Sequence, residues 1–167
     1  MPQPAMIKEN EVFLSSLTAQ RDHVLGILEG LSDEALRRPV LPSGWTCLGL
    51  VRHLAIDVER FWFRSIMAGQ QVEPRGSDAA VWQVAPDESA ESILGLYRRE
   101  IELANAIIAA TPLDTPPASW PEQWSDWRFH DLRETILHVI TETACHAGHL
   151  DAVRELIDGR TWLVLTE

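Results

Sequence analysis

Apolar side chains recur every three or four residues in four segments of the chain, without the two-residue alternation of a half-buried strand. This spacing places one apolar stripe along each helix, where it can face a shared core. The pattern predicts a short helical turn at 32–38 and four long helices, at about 10–29, 46–68, 87–108 and 131–158. The predicted N-caps are Thr46 and Asp87, and the predicted glycine stops are Gly30, Gly69 and Gly159.

The segment before the last helix, residues 111–130, contains four prolines and three tryptophans. Prolines interrupt a long helix, and three indoles carry too much apolar surface for a free linker. We predict an ordered connection that packs on the helices and roofs one end of them. Trp120, Trp124 and Trp127 are interpreted as packing residues, with the lining of a pocket mouth as the alternative. Together the segments predict an all-α fold, a four-helix bundle, in a single domain spanning 1–167.

Composition and charge narrow the class of protein. The chain has 167 residues and a formal net charge of −11, from 25 acidic and 14 basic residues. A surface this acidic repels phosphate backbones and anionic lipids, which argues against nucleic-acid and membrane partners. The two cysteines, Cys47 and Cys145, match neither a metal motif nor a disulfide framework. We see no signal peptide and no apolar run near the ~20 residues of a membrane span, so we expect a soluble, cytoplasmic protein.

Polar residues interrupt two of the predicted apolar stripes. His53 and Asp57 do so on the second helix, and Glu142, His146 and His149 on the fourth. Side chains four residues apart on a helix share a face, so Glu142 and His146 could present an oxygen and a nitrogen to one point. A histidine from a facing helix would complete a three-ligand site for Zn²⁺ or a similar ion, as in other helical bundles.

Structural interpretations of the same residues compete with the metal site. A lone histidine on an apolar stripe is more often a hydrogen-bonded core residue than a ligand. A Glu and a His four residues apart also form an ordinary helix-surface pair. The other three histidines, His23, His130 and His138, are predicted to lie at the surface or its boundary.

Two stretches resemble the DinB-like superfamily. Residues 43–54, SGWTCLGLVRHL, are similar to the start of its second helix, which leads to a metal-binding histidine. Residues 142–150, ETACHAGHL, are similar to its last helix, with the pattern H-x-x-x-H-r-G-q. The resemblance covers nearly the whole chain and is strongest to an uncharacterised, largely actinobacterial branch whose last helix ends in H-a-G-H-x-D-x-x-R-E-x-I-D-G.

The resemblance implies that His53 and His146 are the first and last metal ligands. Glu142 stands where many members have a histidine, as it does in the mycothiol-dependent maleylpyruvate isomerases of this superfamily. His149 replaces the usual glutamine, and its role is left open between fourth ligand, positioning residue and acid–base group. The resemblance also implies a DinB-like bundle, often a homodimer.

Two classes of function are compatible with these residues. The first is an enzyme in which a divalent ion, Zn²⁺ before Ni, Fe or Mn, holds a low-molecular-weight thiol such as mycothiol as a thiolate for transfer or isomerisation. His149 or Asp57 would then orient ligands or carry a proton. A hydrolase would use the same ligands. The second is a non-enzymatic metal-binding or stress-related protein. The small-molecule substrate is not predicted.

Overall fold

The structure, a computed structural model, describes residues 4–73 and 77–162, and its regular elements in these ranges are all helical. The α-helices are α1 (Pro4–Leu28), α2 (Asp33–Arg37), α3 (Cys47–His53), α4 (Asp78–Val81), α5 (Ala90–Ala110) and α6 (Leu132–Asp158). A π-helix (Leu54–Met67) continues α3 directly, and a short 3₁₀ turn (Glu122–Trp124) precedes α6. The prediction of an all-α fold is confirmed. Within the described ranges, none of these helices combines the length and the apolar character that a membrane crossing requires.

The long helices pack in pairs that place the end of α3 beside α6. α1 packs against α6, and the π-helix packs against both α5 and α6. α3 also packs against α5. Since the π-helix leaves α3 at His53 and then lies against α6, side chains at this junction face the middle of α6.

Side-chain caps and glycines fix most helix ends as predicted. The Thr46 hydroxyl accepts a hydrogen bond from the Gly49 N–H at 3.0 Å, which starts α3, and Gly159 ends α6 with a φ of 78°. The prediction that Asp87 caps the third long helix was wrong. Ser89 is the cap, with its side chain accepting from the Ser92 N–H at 3.1 Å. Asp87 instead lies in a turn that is closed by a hydrogen bond from the Ala85 N–H to the Glu88 carboxylate.

The first helix starts earlier than its apolar pattern predicts. α1 begins at Pro4, where proline is tolerated because the first-turn N–H has no helical partner. Val12, which the pattern placed on the buried stripe, is 56% exposed. The buried stripe of α1 begins at Leu17 and continues with Val24 and Ile27.

The π-helix follows a spacing of four in the sequence. Its deeply buried positions come as adjacent pairs at 54–55, 58–59, 62–63 and 66–67. A spacing of four lies between the 3.6 residues of an α-helical turn and the wider turn of a π-helix, so the pairs stay close to one face of the helix. At its end the Ala68 N–H donates to the Phe63 carbonyl five residues earlier, at 3.0 Å.

The connection before α6 is ordered and attached to the end of the π-helix. The backbone N–H of Ser119 donates to the Ile66 carbonyl at 3.0 Å, and its hydroxyl donates to the Ser65 carbonyl at 2.7 Å. Trp120, Trp124 and Trp127 then surround Trp62 of the π-helix, with ring centroids 6.0 to 6.3 Å from it. The tryptophans of this connection therefore pack on the helices, as predicted, and Trp124 also agrees with the alternative because it lines a cavity.

Candidate metal centre and adjoining cavity

Three side chains from two helices meet at the junction of α3 and the π-helix. His53 is the last residue of α3, and Glu142 and His146 lie one turn apart on α6. One potential ligand atom from each lies within 4.8 Å of the other two. His146 Nε2 is 3.7 Å from Glu142 Oε2, and the two imidazoles meet edge to face with centroids 5.0 Å apart. We refer to these three residues as the His–Glu–His cluster.

Asp57 and Trp82 hold the imidazole of His53. Asp57 Oδ2 lies 3.0 Å from His53 Nδ1, one turn along the helix. A carboxylate accepts this bond when Nδ1 carries the proton, which leaves the Nε2 lone pair to face the cluster. The Trp82 ring stacks on the other side of His53, with centroids 4.4 Å apart and planes 15° apart. The candidate catalytic residue Asp57 thus lies behind a candidate ligand.

His149 lies beside the cluster on the exposed side of α6. Its Nδ1 is 3.5 Å from His146 Nδ1, beyond the usual 2.7–3.2 Å of an N–H hydrogen bond. Its ring centroid is 6.3 Å from that of Trp45. His149 therefore lies next to Nδ1 of His146, whereas Glu142 lies next to its Nε2.

Burial keeps His146 neutral at physiological pH. Desolvation, followed by the nearby His53 and His149, lowers the pKa of His146 from 6.5 to about 4. A neutral imidazole has a lone pair to donate, as a metal ligand must. A protonated His146 would instead pair with the carboxylate of Glu142 as a cation.

A cavity of about 340 Å³ opens beside the cluster. Its polar side is formed by His53, Asp57, Glu142 and His138, and its apolar side by Val58 and a set of aromatic rings, Phe61, Trp62, Trp82 and Trp124. A larger cleft of about 720 Å³, lined in part by Thr46, Arg52, Gln83 and Glu88, lies on the other side of Trp82. Trp82 lines both.

Two cavity residues were missed by the sequence analysis. His138 is half-buried, which agrees with its prediction as a surface or boundary residue, but its contact with Trp62, with ring centroids 4.6 Å apart, and its place in the cavity lining were not predicted. Its spacing of four from Glu142 was a usable signal, because it puts both on one face of α6. Trp82 follows the short α4 in a region with no helical periodicity, so nothing in its neighbourhood indicated that it would reach His53.

Neither cysteine of the chain belongs to the cluster. Cys47 and Cys145 are both free, the first buried and the second exposed. Burial raises the pKa of the Cys47 thiol to about 11, so it carries almost no thiolate at neutral pH. A thiolate nucleophile at this site would have to come from a bound small molecule.

The family comparison places this helical chain in the DinB-like superfamily. The model of the MST, or mycothiol-S-transferase, family matches residues 12–159, and the chain belongs to that family. This confirms the superfamily that residues 43–54 and 142–150 indicated. No curated protein and no solved structure matches the chain.

Proposed function

We propose that this protein is a divalent-metal-dependent mycothiol S-transferase with His53, Glu142 and His146 as its metal ligands. The observation that carries the proposal is the convergence of two imidazole nitrogens and one carboxylate oxygen within 4.8 Å of one another. Two nitrogens and one oxygen suit Zn²⁺ with positions left for a further ligand. A divalent ion bound there would lower the pKa of a coordinated thiol and favour the thiolate form.

The residues around the ligands support this arrangement. Asp57 holds the proton on His53 Nδ1 and so fixes the tautomer in which Nε2 can donate a lone pair. We infer that His149 positions His146 from behind and is not a fourth ligand, since its nitrogen faces His146 Nδ1. The larger cleft beside Trp82 would hold the polar body of the thiol, because Thr46, Gln83 and the ion pair of Arg52 with Glu88 give it a polar lining.

The reaction that follows is the transfer of a thiol sulfur to an electrophile. A carbon–sulfur bond forms as the leaving group departs with its bonding electrons. The 340 Å³ cavity reaches His53 and Glu142 directly, so it would bring the electrophile to the cluster. Its aromatic walls would exclude water from the reacting atoms.

The finer properties implied by the DinB-like resemblance belong to the same proposal. We infer that α1, α3 with its π-helical extension, α5 and α6 form the DinB-type four-helix bundle. The packing of α1 on α6 and of the π-helix on α5 and α6 supports this inference. A homodimer and a cytoplasmic location stay predictions.

Elemental analysis combined with a transferase assay tests the proposal. Protein purified without a histidine tag is expected to contain about one divalent ion per chain and to conjugate mycothiol to at least one member of an electrophile panel. His53→Ala should lower both metal content and turnover at least ~100-fold, since two ligands hold the ion poorly. The matched control is His130→Ala, because His130 is 86% exposed and outside the cluster.

The outcomes separate the two classes of function. Bound metal without turnover across the panel would favour a metal-binding protein that is not an enzyme. Turnover that survives His53→Ala would overturn the assignment of the ligands. A sub-stoichiometric metal content in both the parent protein and His146→Ala would overturn the metal site itself.

A further inference from the structure

The cavity beside the His–Glu–His cluster is walled by stacked aromatic rings. Trp62 and Trp124 stack with centroids 6.0 Å apart and planes 26° apart, and Phe61 meets Trp124 edge to face at 5.6 Å. All three rings line the cavity, together with Trp82 at the cluster end. Flat rings with exposed faces and edges provide geometrically specific contacts for another aromatic ring.

The Trp124 wall is held in place by the backbone and by a neighbouring indole. Trp120 Nε1 donates to the Trp124 carbonyl at 3.2 Å, and the segment just before it is attached to the π-helix through Ser119. Trp62 is buried, whereas Trp124 and Trp82 are half-buried and keep part of their surface open. Trp124 and Trp82 therefore present aromatic surface to the cavity.

The polar side of the cavity restricts the charge of a ligand. Asp57 and Glu142 both line it, and no Lys or Arg is among its lining residues. An anionic ligand would therefore find no cationic side chain among the described residues that line the cavity. The volume of about 340 Å³ is at the small end of the ~300–1,000 Å³ of ligand pockets, which suits a molecule with one or two rings.

We propose that this cavity is the subsite for the electrophilic substrate, and that it selects a neutral, planar aromatic compound. The aromatic ring would lie against Trp124 and Trp82 with its reactive carbon directed toward the cluster. The reaction in this proposal rests on the proposed transferase function, whereas the binding of an aromatic compound in the cavity does not depend on it. For an aryl chloromethyl ketone, the thiol sulfur bonds to the chlorine-bearing carbon, chloride leaves with the electrons of the C–Cl bond, and the thiol proton passes to the buffer.

The first experiment measures binding without any reaction. Acetophenone and 1-cyclohexylethanone are unreactive ketones of similar size, one planar and aromatic, the other saturated. Titration of the metal-loaded protein with each, followed by NMR, should give acetophenone a Kd about five- to tenfold lower, since only its ring can stack on the tryptophans. Equal affinities for the two ketones would overturn the proposal.

Two tryptophans of the same connection provide a matched pair of variants. Trp124→Leu should raise the Kd for acetophenone about tenfold, and Trp124→Phe should keep it within about threefold because an aromatic face is retained. Trp127→Leu should raise it less than Trp124→Leu does, because Trp127 is 45% exposed and stacks on Trp124, with ring centroids 5.7 Å apart, but does not itself line the cavity. Circular dichroism and metal content confirm that each variant is folded. Equal losses in Trp124→Leu and Trp127→Leu would overturn the assignment of the wall.

The second experiment uses the matched electrophiles 2-chloroacetophenone and chloromethyl cyclohexyl ketone with mycothiol. The parent protein should show a higher kcat/KM for the aromatic ketone, and Trp124→Leu should remove that preference. Turnover of both ketones at equal kcat/KM would overturn the aromatic subsite while leaving the transferase intact. Selective binding of acetophenone without turnover of either chloroketone would support the aromatic site and count against the transferase.

Discussion

Two clusters of polar side chains among the described residues differ in how their charged groups are paired. In the first, Arg21 and Glu59 are almost fully buried, and two hydrogen bonds of 2.7 and 2.6 Å join guanidinium to carboxylate. Arg21 also donates to Asn105 at 2.8 Å. Nearby, the buried carboxylate of Glu100 accepts from both Arg60 and Arg64. Each of the two buried carboxylates is thus paired with guanidinium groups, so this network has a structural explanation.

The His–Glu–His cluster has the opposite chemistry. The atoms that converge are two imidazole nitrogens and one carboxylate oxygen, and the low pKa of His146, about 4, leaves its imidazole neutral. Three such groups could together bind one metal ion. The comparison shows that burial of polar residues does not by itself mark a site in this fold. The His–Glu–His cluster differs from the buried ion pairs because its three side chains bring potential metal-ligand atoms within 4.8 Å of one another.

Removing Glu59 should produce the largest effect on stability. Glu59→Leu leaves Arg21 buried beside Asn105 without its carboxylate, which should cost about 3–5 kcal/mol of unfolding free energy. The double variant Arg21→Met/Glu59→Leu should recover most of this loss, because an apolar pair carries no uncompensated charge. Urea unfolding followed by circular dichroism measures both.

The same two variants test whether the clusters are independent. Metal content of the folded protein should equal that of the parent in both, since Arg21 and Glu59 are not among the ligands. A double variant as unstable as the single one would contradict the view that this pair is a replaceable structural element. A loss of metal in the folded double variant would show that the two clusters are coupled.

The helices were predictable because their signals are local. The last helix was predicted at 131–158 and is found at Leu132–Asp158, since Asp131 caps its start and Gly159 takes the positive φ at its end. The π-helix was not predicted, because its apolar positions do not distinguish it from an α-helix and one of its buried positions is the charged Glu59. The cap at Ser89 was missed because Asp87 and Ser89 are both good capping residues, and the choice depends on the turn around Glu88.

The site was only partly predictable, since its surroundings come from distant parts of the chain. Glu142 and His146 share a face of one helix, and the family motifs added His53. The aromatic walls combine Trp62 of the π-helix with Trp82 and Trp124 from two connections. No spacing rule relates these three residues. Their meeting depends on how the connections pack, which only the tertiary structure specifies.

A pH titration of the metal-free protein should sharpen the comparison through His146. Its folded pKa is about 4, against 6.5 for the ordinary group, so between these values the unfolded chain binds more protons than the folded one. Stability from this group is therefore lost as the pH falls from 6.5 toward 4 and is fully present above 6.5. The full shift corresponds to about 3 kcal/mol.

Urea unfolding at pH 4.5 and 7.0 after removal of metal by EDTA measures this contribution. His146→Gln should lose less stability than the parent protein between the two pH values, because glutamine does not titrate. The carboxylates titrate in both proteins, so their effect cancels in the difference. Identical pH profiles would show that His146 is not kept neutral by its surroundings.

Changing Asp57 should weaken metal binding without removing a ligand. Asp57→Ala removes the acceptor from His53 Nδ1 and should raise the Kd for Zn²⁺ about 10- to 100-fold. Asp57→Asn should have a smaller effect, because its amide oxygen can still accept from Nδ1 but carries no charge. Competition with a chromophoric chelator measures both values. Equal affinities in the parent and Asp57→Ala would contradict the positioning role.

The smallest effect is expected at His149, which lies beside the His–Glu–His cluster. Its contact with His146 Nδ1 is long, at 3.5 Å, and the residue is exposed. His149→Ala should therefore raise the Kd for Zn²⁺ only about threefold, less than a well-formed hydrogen bond to a ligand is worth. His130→Ala, on the exposed residue just before α6, is the control. In the Co²⁺-substituted protein the visible d–d bands of His149→Ala should match those of the parent. A loss of affinity beyond ~100-fold with altered bands would instead make His149 a fourth ligand, because only a change in the coordination sphere moves both.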